Sequence, residues 1–298
     1  VKEVTQAALV PIWFLAVYIV ITVAVPISWI AWEKFGLWSV VFLVLAAIAV
    51  DYSAFNHDQG WLRWSNYGFV WLAVHQLGYW WHDAGSKSAA AIGLTAFGAV
   101  WLWYLLTQAG YPVSMVSVPG QEVSNTRPPT VAMLAIGSVH IGIILLVERA
   151  ANTWLKKTKP WAAVIVLNQM IMTVYLWHMT ALILAVGGAY WLGSIGLKVD
   201  PGTAAWWAAR PIWMLVYIAV LLPFVLIFMR FEGASKGPST GLPGPWQATI
   251  GALTTCAGLV IMAMSGIGAD NPIGLNWVAL ALVVLGVGLG TRKLRAIG

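Results

Sequence analysis

The sequence predicts an all-α polytopic membrane protein, a bundle of about nine transmembrane helices. Three observations lead there. Of 298 residues, 60% are hydrophobic and only 9% charged, whereas soluble domains carry about 25% charged residues. Apolar runs recur along the whole chain at the length needed to cross a hydrocarbon core, about 20 helical residues each. Many of the twenty tryptophans sit near the ends of those runs, among them Trp29, Trp32, Trp38, Trp80, Trp81, Trp161 and Trp191, as interfacial aromatic belts do.

The runs fall at residues 8–32, 36–50, 66–82, 89–108, 129–148, 161–193, 205–230, 246–267 and 273–291. The second is short and must extend or tilt to cross. The polar connections Asp51–Ser65, Ala109–Pro128 and Phe231–Pro245 are the longest, and none holds a soluble domain. The last is rich in Gly, Pro and Ser and reads as a flexible linker. The chain therefore divides into a membrane core over 1–230, a linker over 231–245 and an additional pair of helices over 246–298.

Lysine and arginine set the orientation. With the amino end outside, the inner loops hold Lys34, Lys87, Arg149, Lys156, Lys157, Lys159, Arg230, Lys236, Arg292, Lys293 and Arg295, eleven in all. The outer side holds Lys2, Arg63, Arg127, Lys198 and Arg210, which is five. The positive-inside bias puts the carboxyl end in the cytoplasm. The chain opens VKEVTQAALV without an initiator methionine or a signal peptide, and an outside amino end then implies an odd number of spans upstream.

Other classes are excluded by what is missing. The net charge of +6 is explained by the loops, and no basic patch suits a nucleic acid. A single cysteine, Cys256, allows no intrachain disulfide. There is no paired-Cys or HExxH metal signature, no phosphate-binding glycine loop and no G-x-S-x-G elbow. Regular spans without inverted repeats weigh against a secondary transporter without excluding one.

Polar groups inside the runs carry the functional reading. In Trp161–Gly193, Asn168, Tyr175 and His178 fall within an arc of about 80° on a continuous helix. His178 lies near mid-membrane, where it serves either a helix–helix hydrogen bond or a proton-transfer or ligand contact in a cavity. In the third run, Trp71, His75, Tyr79 and His82 share one stripe, with Gln76 beside it and Asp83 at the inner end. The stripe either lines a tunnel or packs and anchors at the interface. His140, with Ser138 as its polar companion, reads as structural. Two outer loops could hold a polar substrate. Residues 51–66 offer Asp51, His57, Asp58 and Arg63 between aromatics; residues 111–130 offer Asn125, Thr126 and Arg127 ahead of Pro128-Pro129. Both are equally readable as solvated loops.

Four stretches resemble the acyltransferase-3 family of integral-membrane O-acyltransferases, particularly its actinobacterial members. They are PIWFLAVYIVITVAVP (11–26), VWLAVHQLGYWWHDAG (70–85), SMVSVPGQEVSNTRPPT (114–130) and TVYLWHMTALIL (173–184). They stand in the family's order and cover about residues 8–230. The resemblance implies a core of about ten spans, with some three of them upstream of Val1. It places the family's Arg and catalytic His in that missing first span, so the catalytic base lies outside this sequence. His178 matches a later family histidine, a wall of the acyl tunnel or a partner to that base, with Met179-Thr180 in place of the commoner proline-containing ending.

The implied function is acyl transfer, acetyl first among the acyl groups, from a cytosolic acyl-CoA to a hydroxyl of an envelope glycan or glycolipid. The protein would sit in the cell membrane among its lipids and need no metal. Such transfer requires a base for the acceptor hydroxyl and donors for the developing oxyanion. His178 and Tyr175 are the catalytic candidates. Trp71, His75, Gln76, Tyr79, His82 and Asp83 are the candidate donor tunnel, joined to the Tyr175/His178 arc, with the CoA end near His82, Asp83 and Lys87. Asp58, Arg63, Asn125 and Arg127 are the acceptor-binding candidates. A lipid or glycan transporter, or a non-catalytic subunit of a membrane assembly, is the competing reading, since polar mid-membrane arcs serve transport equally well.

Overall fold

A computed structural model describes residues 10–57, 59–84, 88–115, 123–200, 202–231, 243–265 and 275–291. Over these the chain is helical, with α1 (Val10–Phe35), α2 (Leu37–Asn56), α3 (Asn66–Ala84), α4 (Ser88–Thr107), α5 (Val131–Leu155), α6 (Thr158–Asn168), α7 (Ile171–Trp191), α8 (Ala204–Phe228), α9 (Pro245–Ser265) and α10 (Trp277–Thr291). Short 3₁₀ turns cover Gly60–Ser65 and Met229–Phe231. No β-strand occurs among the described residues.

Among the described residues, seven helices are long and apolar enough to cross a membrane: α1, α2, α4, α5, α7, α8 and α9. This is an all-α polytopic membrane protein. Two of the expected nine runs differ from the other seven. α3 has the length, at 19 residues, but Asn66, His75, Gln76, His82 and Asp83 make it more polar. α10 is apolar but only 15 residues long.

The run 161–193 is not one helix. α6 ends at Asn168, and α7 starts at Ile171 after a turn at Gln169-Met170. A continuous helix of that length would extend about 50 Å, well beyond a hydrocarbon core of about 30 Å. The break removes Asn168 from the Tyr175/His178 arc; its amide donates to Val164 O one turn back at 3.0 Å. The short second run is corrected the other way: α2 extends through Asp51 to Asn56. Asp51 is therefore a buried helical residue and not part of a loop.

The chain forms two compact units, Ile21–Thr158 on the one hand and Val1–Val20 with Lys159–Gly298 on the other. The first is centred on Ala47, Val70, Ala73, Leu105, Val131 and Leu134. Within it α4 and α5 pack backbone to backbone. A Cβ on Gly98 would lie 2.8 Å from Ala135 O, and one on Gly142 would lie 2.8 Å from Ala91 O. Small residues let membrane helices approach this closely, where apolar burial alone provides no drive. In the second unit α9 and α10 do the same, with a Cβ on Gly251 falling 2.5 Å from Gly290 N. There Ala16 packs with Cys256 and Leu259, and Trp177 stacks on Phe224 and Phe228 of α8.

Candidate functional site

The residues expected in the donor tunnel lie along α3, and Gln76, Tyr79, His82 and Asp83 have defined hydrogen-bond partners. Gln76 is 2% exposed. Its Nε2 donates to Ser28 O of α1 at 3.1 Å, and its Oε1 accepts from Ser39 Oγ of α2. One buried side chain thus ties three helices. Tyr79 continues the network, its hydroxyl 2.9 Å from Ser28 Oγ, its ring edge-on to Trp29 and to His75. His75 Nδ1 is buried and makes no hydrogen bond among the described residues. Trp71 lies on the same helix one turn before His75, half-buried.

At the end of α3, Trp32 Nε1 donates to Asp83 Oδ2 at 2.6 Å and His82 Nδ1 donates to Asp83 Oδ1 at 3.0 Å. The His82 bond and then the Trp32 bond hold the Asp83 carboxyl below its ordinary range. Both His82 and Asp83 are exposed; Lys87 lies outside the described residues. Next to this network a cleft of about 520 Å³ is lined by Ile27, Phe35, Trp38 and Phe42 together with Ser28, Ser39 and Gln76.

Tyr175 and His178 lie one turn apart on α7. The Tyr175 hydroxyl donates to Pro11 O at 2.9 Å, and its ring packs on Phe14. His178 Nδ1 is bonded to Tyr175 O. A carbonyl oxygen only accepts, so Nδ1 carries the proton; in the neutral ring Nε2 then holds the basic lone pair. Tyr217 of α8 donates to His178 O at 3.3 Å, closing the turn from the other side. The α3 cluster belongs to the Ile21–Thr158 unit, and the α7 pair to the other.

The loop residues expected to bind acceptor divide by burial. Asn125 is fully enclosed at 0% exposure. Its Nδ2 donates to Pro112 O and Ser114 O, and its Oδ1 accepts from Thr130 Oγ1. Those bonds tie the amide into its own loop, away from the surface. Arg63 donates to Ser124 O at 3.2 Å and lies over the Phe55 ring, while its Nε makes no hydrogen bond among the described residues. Arg127 is exposed, next to the cis Arg127–Pro128 bond. Asp58 lies outside the described residues.

A cavity of about 520 Å³ lies in the same region, lined by Tyr52, Phe55, Asn56, Trp101, Tyr104 and Tyr111. Sequence reasoning missed its α4 wall and the role of Tyr111, because residues 40 to 60 positions apart meet only through packing. Ser28 and Ser39 were missed for the same reason. Each is a lone hydroxyl in an apolar run, with no spacing signal.

A family model for an acyltransferase domain, acyltransferase 3, matches residues 3–230. The chain belongs to the acyltransferase-3 family. It is a multi-pass membrane acyltransferase, and the match spans the α3 cluster, the loop before α5 and the Tyr175/His178 pair. No curated protein and no solved structure matches the chain. Among the described residues of this acyltransferase, no group of three or more His, Cys, Asp or Glu side chains is placed to hold a metal ion. The chemistry available to it from these residues is acid–base and hydrogen-bonding: an imidazole with a fixed tautomer, a second imidazole with a buried free nitrogen, and phenols and amides as donors.

Proposed function

We propose that this acyltransferase moves an acyl group, acetyl first among them, from a cytosolic acyl-CoA to a hydroxyl of an envelope glycan or glycolipid. The observation that supports it most directly is His178, whose ring is fixed by Tyr175 O so that Nε2 is the basic atom, within a chain that matches the family throughout this helix. His178 Nε2 takes or relays the proton of the acceptor hydroxyl. The hydroxyl oxygen attacks the thioester carbonyl, the new C–O bond forms, the C–S bond breaks, and the CoA sulfur leaves as the thiol once the proton is returned. Tyr175 sets the imidazole position.

The α3 cluster is the donor path on this reading. Trp71, His75, Gln76 and Tyr79 line it, with His82 and Asp83 at the CoA end. The acceptor sits at the aromatic cavity of Tyr52, Trp101, Tyr104 and Tyr111, where rings can cover the apolar faces of a sugar and Arg63 and Arg127 supply donors at the rim. The lysine and arginine count supports a cell-membrane orientation with the carboxyl end cytoplasmic. The family match ends at residue 230, which supports reading 231–245 as a linker and 246–298 as an added pair.

The test is His178→Ala in cells, with envelope O-acetylation read by mass spectrometry at matched protein level. Loss of general acid–base assistance predicts a fall of about 100-fold or more. Unchanged acetylation would refute the role of His178. CoA retained by the purified protein separates an acyltransferase using this donor from a transporter, which has no use for it.

A further inference from the structure

The α7–α8 pair holds a second feature, distinct from the His178 tautomer and from the α3 cluster. Arg210 lies two turns into α8, at the start of its apolar stretch. On the lysine and arginine count Arg210 stands near the outer end of this span, where a cation meets headgroups rather than hydrocarbon. No ion pair joins Arg210 to a carboxylate among the described residues. Its Nε donates to Trp206 O at 3.4 Å, and its guanidinium stacks on the Trp206 ring at 3.7 Å. Both contacts fix the plane of the group, and among the described residues the terminal nitrogens of the fork make no hydrogen bond.

The fork borders a cavity of about 400 Å³. Arg210, Trp213, Met214 and Tyr217 recur at the i, i+3, i+4, i+7 positions of one α8 face, and all four line it, opposite Leu182, Ala185 and Val186 of α7. The loop after α7 closes one side. Gly196 has φ +69°, and a Cβ there would come within 3.1 Å of Trp213 Nε1. The cavity thus sets one guanidinium among mostly apolar side chains.

We propose that this is a binding site for an anionic phospholipid, with its phosphate on Arg210 and one hydrocarbon chain in the apolar slot between α7 and α8. Charge complementarity decides the occupant. Arginine matches phosphate with two parallel N–H donors. A protein segment of ordinary composition would fill the slot but leave the cation unanswered. The site does not depend on the donor or the acceptor of the acyl-transfer reading.

The experiment uses the full chain, purified and delipidated in a detergent without a phosphate headgroup. Native mass spectrometry then scores retention of phosphatidylglycerol and phosphatidylcholine. The wild-type protein is expected to retain phosphatidylglycerol about fivefold better than phosphatidylcholine, and Arg210→Gln to bring the ratio to near one. Millimolar inorganic phosphate is expected to leave retention unchanged; displacement by phosphate alone would mark a simple anion site and overturn the proposal. Val186→Trp, on the exposed wall of the slot, is expected to lower retention of both lipids with Arg210 intact. It also decides the matter if Arg210→Gln does not stay monodisperse. Wild-type retention in either folded variant overturns the proposal.

Discussion

Asp51 Oδ2 accepts the backbone N–H of Val131, the first residue of α5, at 2.9 Å. The two residues are 80 positions apart, and the bond places a buried carboxylate from α2 on the N-terminus of α5, where unpaired N–H groups and the helix dipole favour negative charge. Asp51 is 1% exposed. The same oxygen accepts from Tyr111 at 3.0 Å, and Oδ1 accepts from Asn66 Nδ2 at 2.9 Å. Thr130 completes the cap through its own hydroxyl to Ala132 N. This clasp gathers α2, α3, α5 and the 109–115 loop beside the aromatic cavity.

Asp51→Ala leaves three donors buried without their acceptor. Unsatisfied buried donors cost about 1–3 kcal/mol each, partly relieved by rearrangement, so a loss of about 3 kcal/mol is expected. Thermal unfolding in detergent micelles reads it. A melting temperature equal to wild type would show that the clasp contributes nothing.

Tyr111 supplies a pH dependence. Burial, then the Asp51 charge, then the hydrogen bond to Asp51 raise its phenol well above the ordinary value. A folded-state pKa raised above the unfolded one gives stability that is full below the unfolded value, about 10, and is lost as pH rises past it. The fold should therefore lose stability above about pH 10 more steeply than Tyr111→Phe does. Parallel melting curves from pH 8 to 11 would counter this if they had the same slope in both proteins.

Gly142 is the tightest test of the α4–α5 contact. An added Cβ would meet Ala91 O and Thr95 N at 2.8 Å, so Gly142→Leu should destabilise by about 2 kcal/mol or more. Gly187 of α7 has nothing within 4 Å of the same position. Gly187→Ala should hold or gain about 0.5 kcal/mol through helix propensity. Equal melting temperatures for the two variants would argue against the close packing of α4 on α5.

Tyr175→Phe separates positioning from proton transfer. It removes the bond to Pro11 O and keeps the ring against Phe14. The Tyr175 carbonyl that holds His178 stays in place. Acyl transfer should fall by less than about tenfold, against about 100-fold or more for His178→Ala. Equal losses in the two variants, measured as acetylated product per unit protein, would assign the chemistry to the phenol instead.

Gln76→Leu removes the amide that joins α1, α2 and α3. Hydrogen bonds between membrane helices average about 0.6 kcal/mol, so a loss of about 1 kcal/mol is expected for the two. A melting curve identical to wild type would mean that Ser28 and Ser39 find other partners.

Much of this was legible in the sequence. Length and composition fixed the membrane class because hydrocarbon accepts only backbones whose polar groups are satisfied within the segment, and apolar runs therefore announce helices. Tyr175 and His178 were placed on one face because three residues make nearly one turn. The third run's histidines and Gln76 stood out against an apolar background. The break at Gln169-Met170 was not visible, since nothing in that stretch is a helix breaker. Neither was the extension of α2, because Asp51 reads as a loop residue until its three donors are known.

The sequence by itself determined the all-α membrane architecture, the family and the faces on which polar side chains lie, since these depend on local periodicity and composition. Only the tertiary structure decided what those side chains meet. Asn125 is bonded within its own loop; Asp51 caps a helix 80 residues away; Arg210 borders a largely apolar cavity. The reason is physical. A buried polar group is defined by the partner that satisfies it, and partners far apart in the chain become neighbours only when the helices pack.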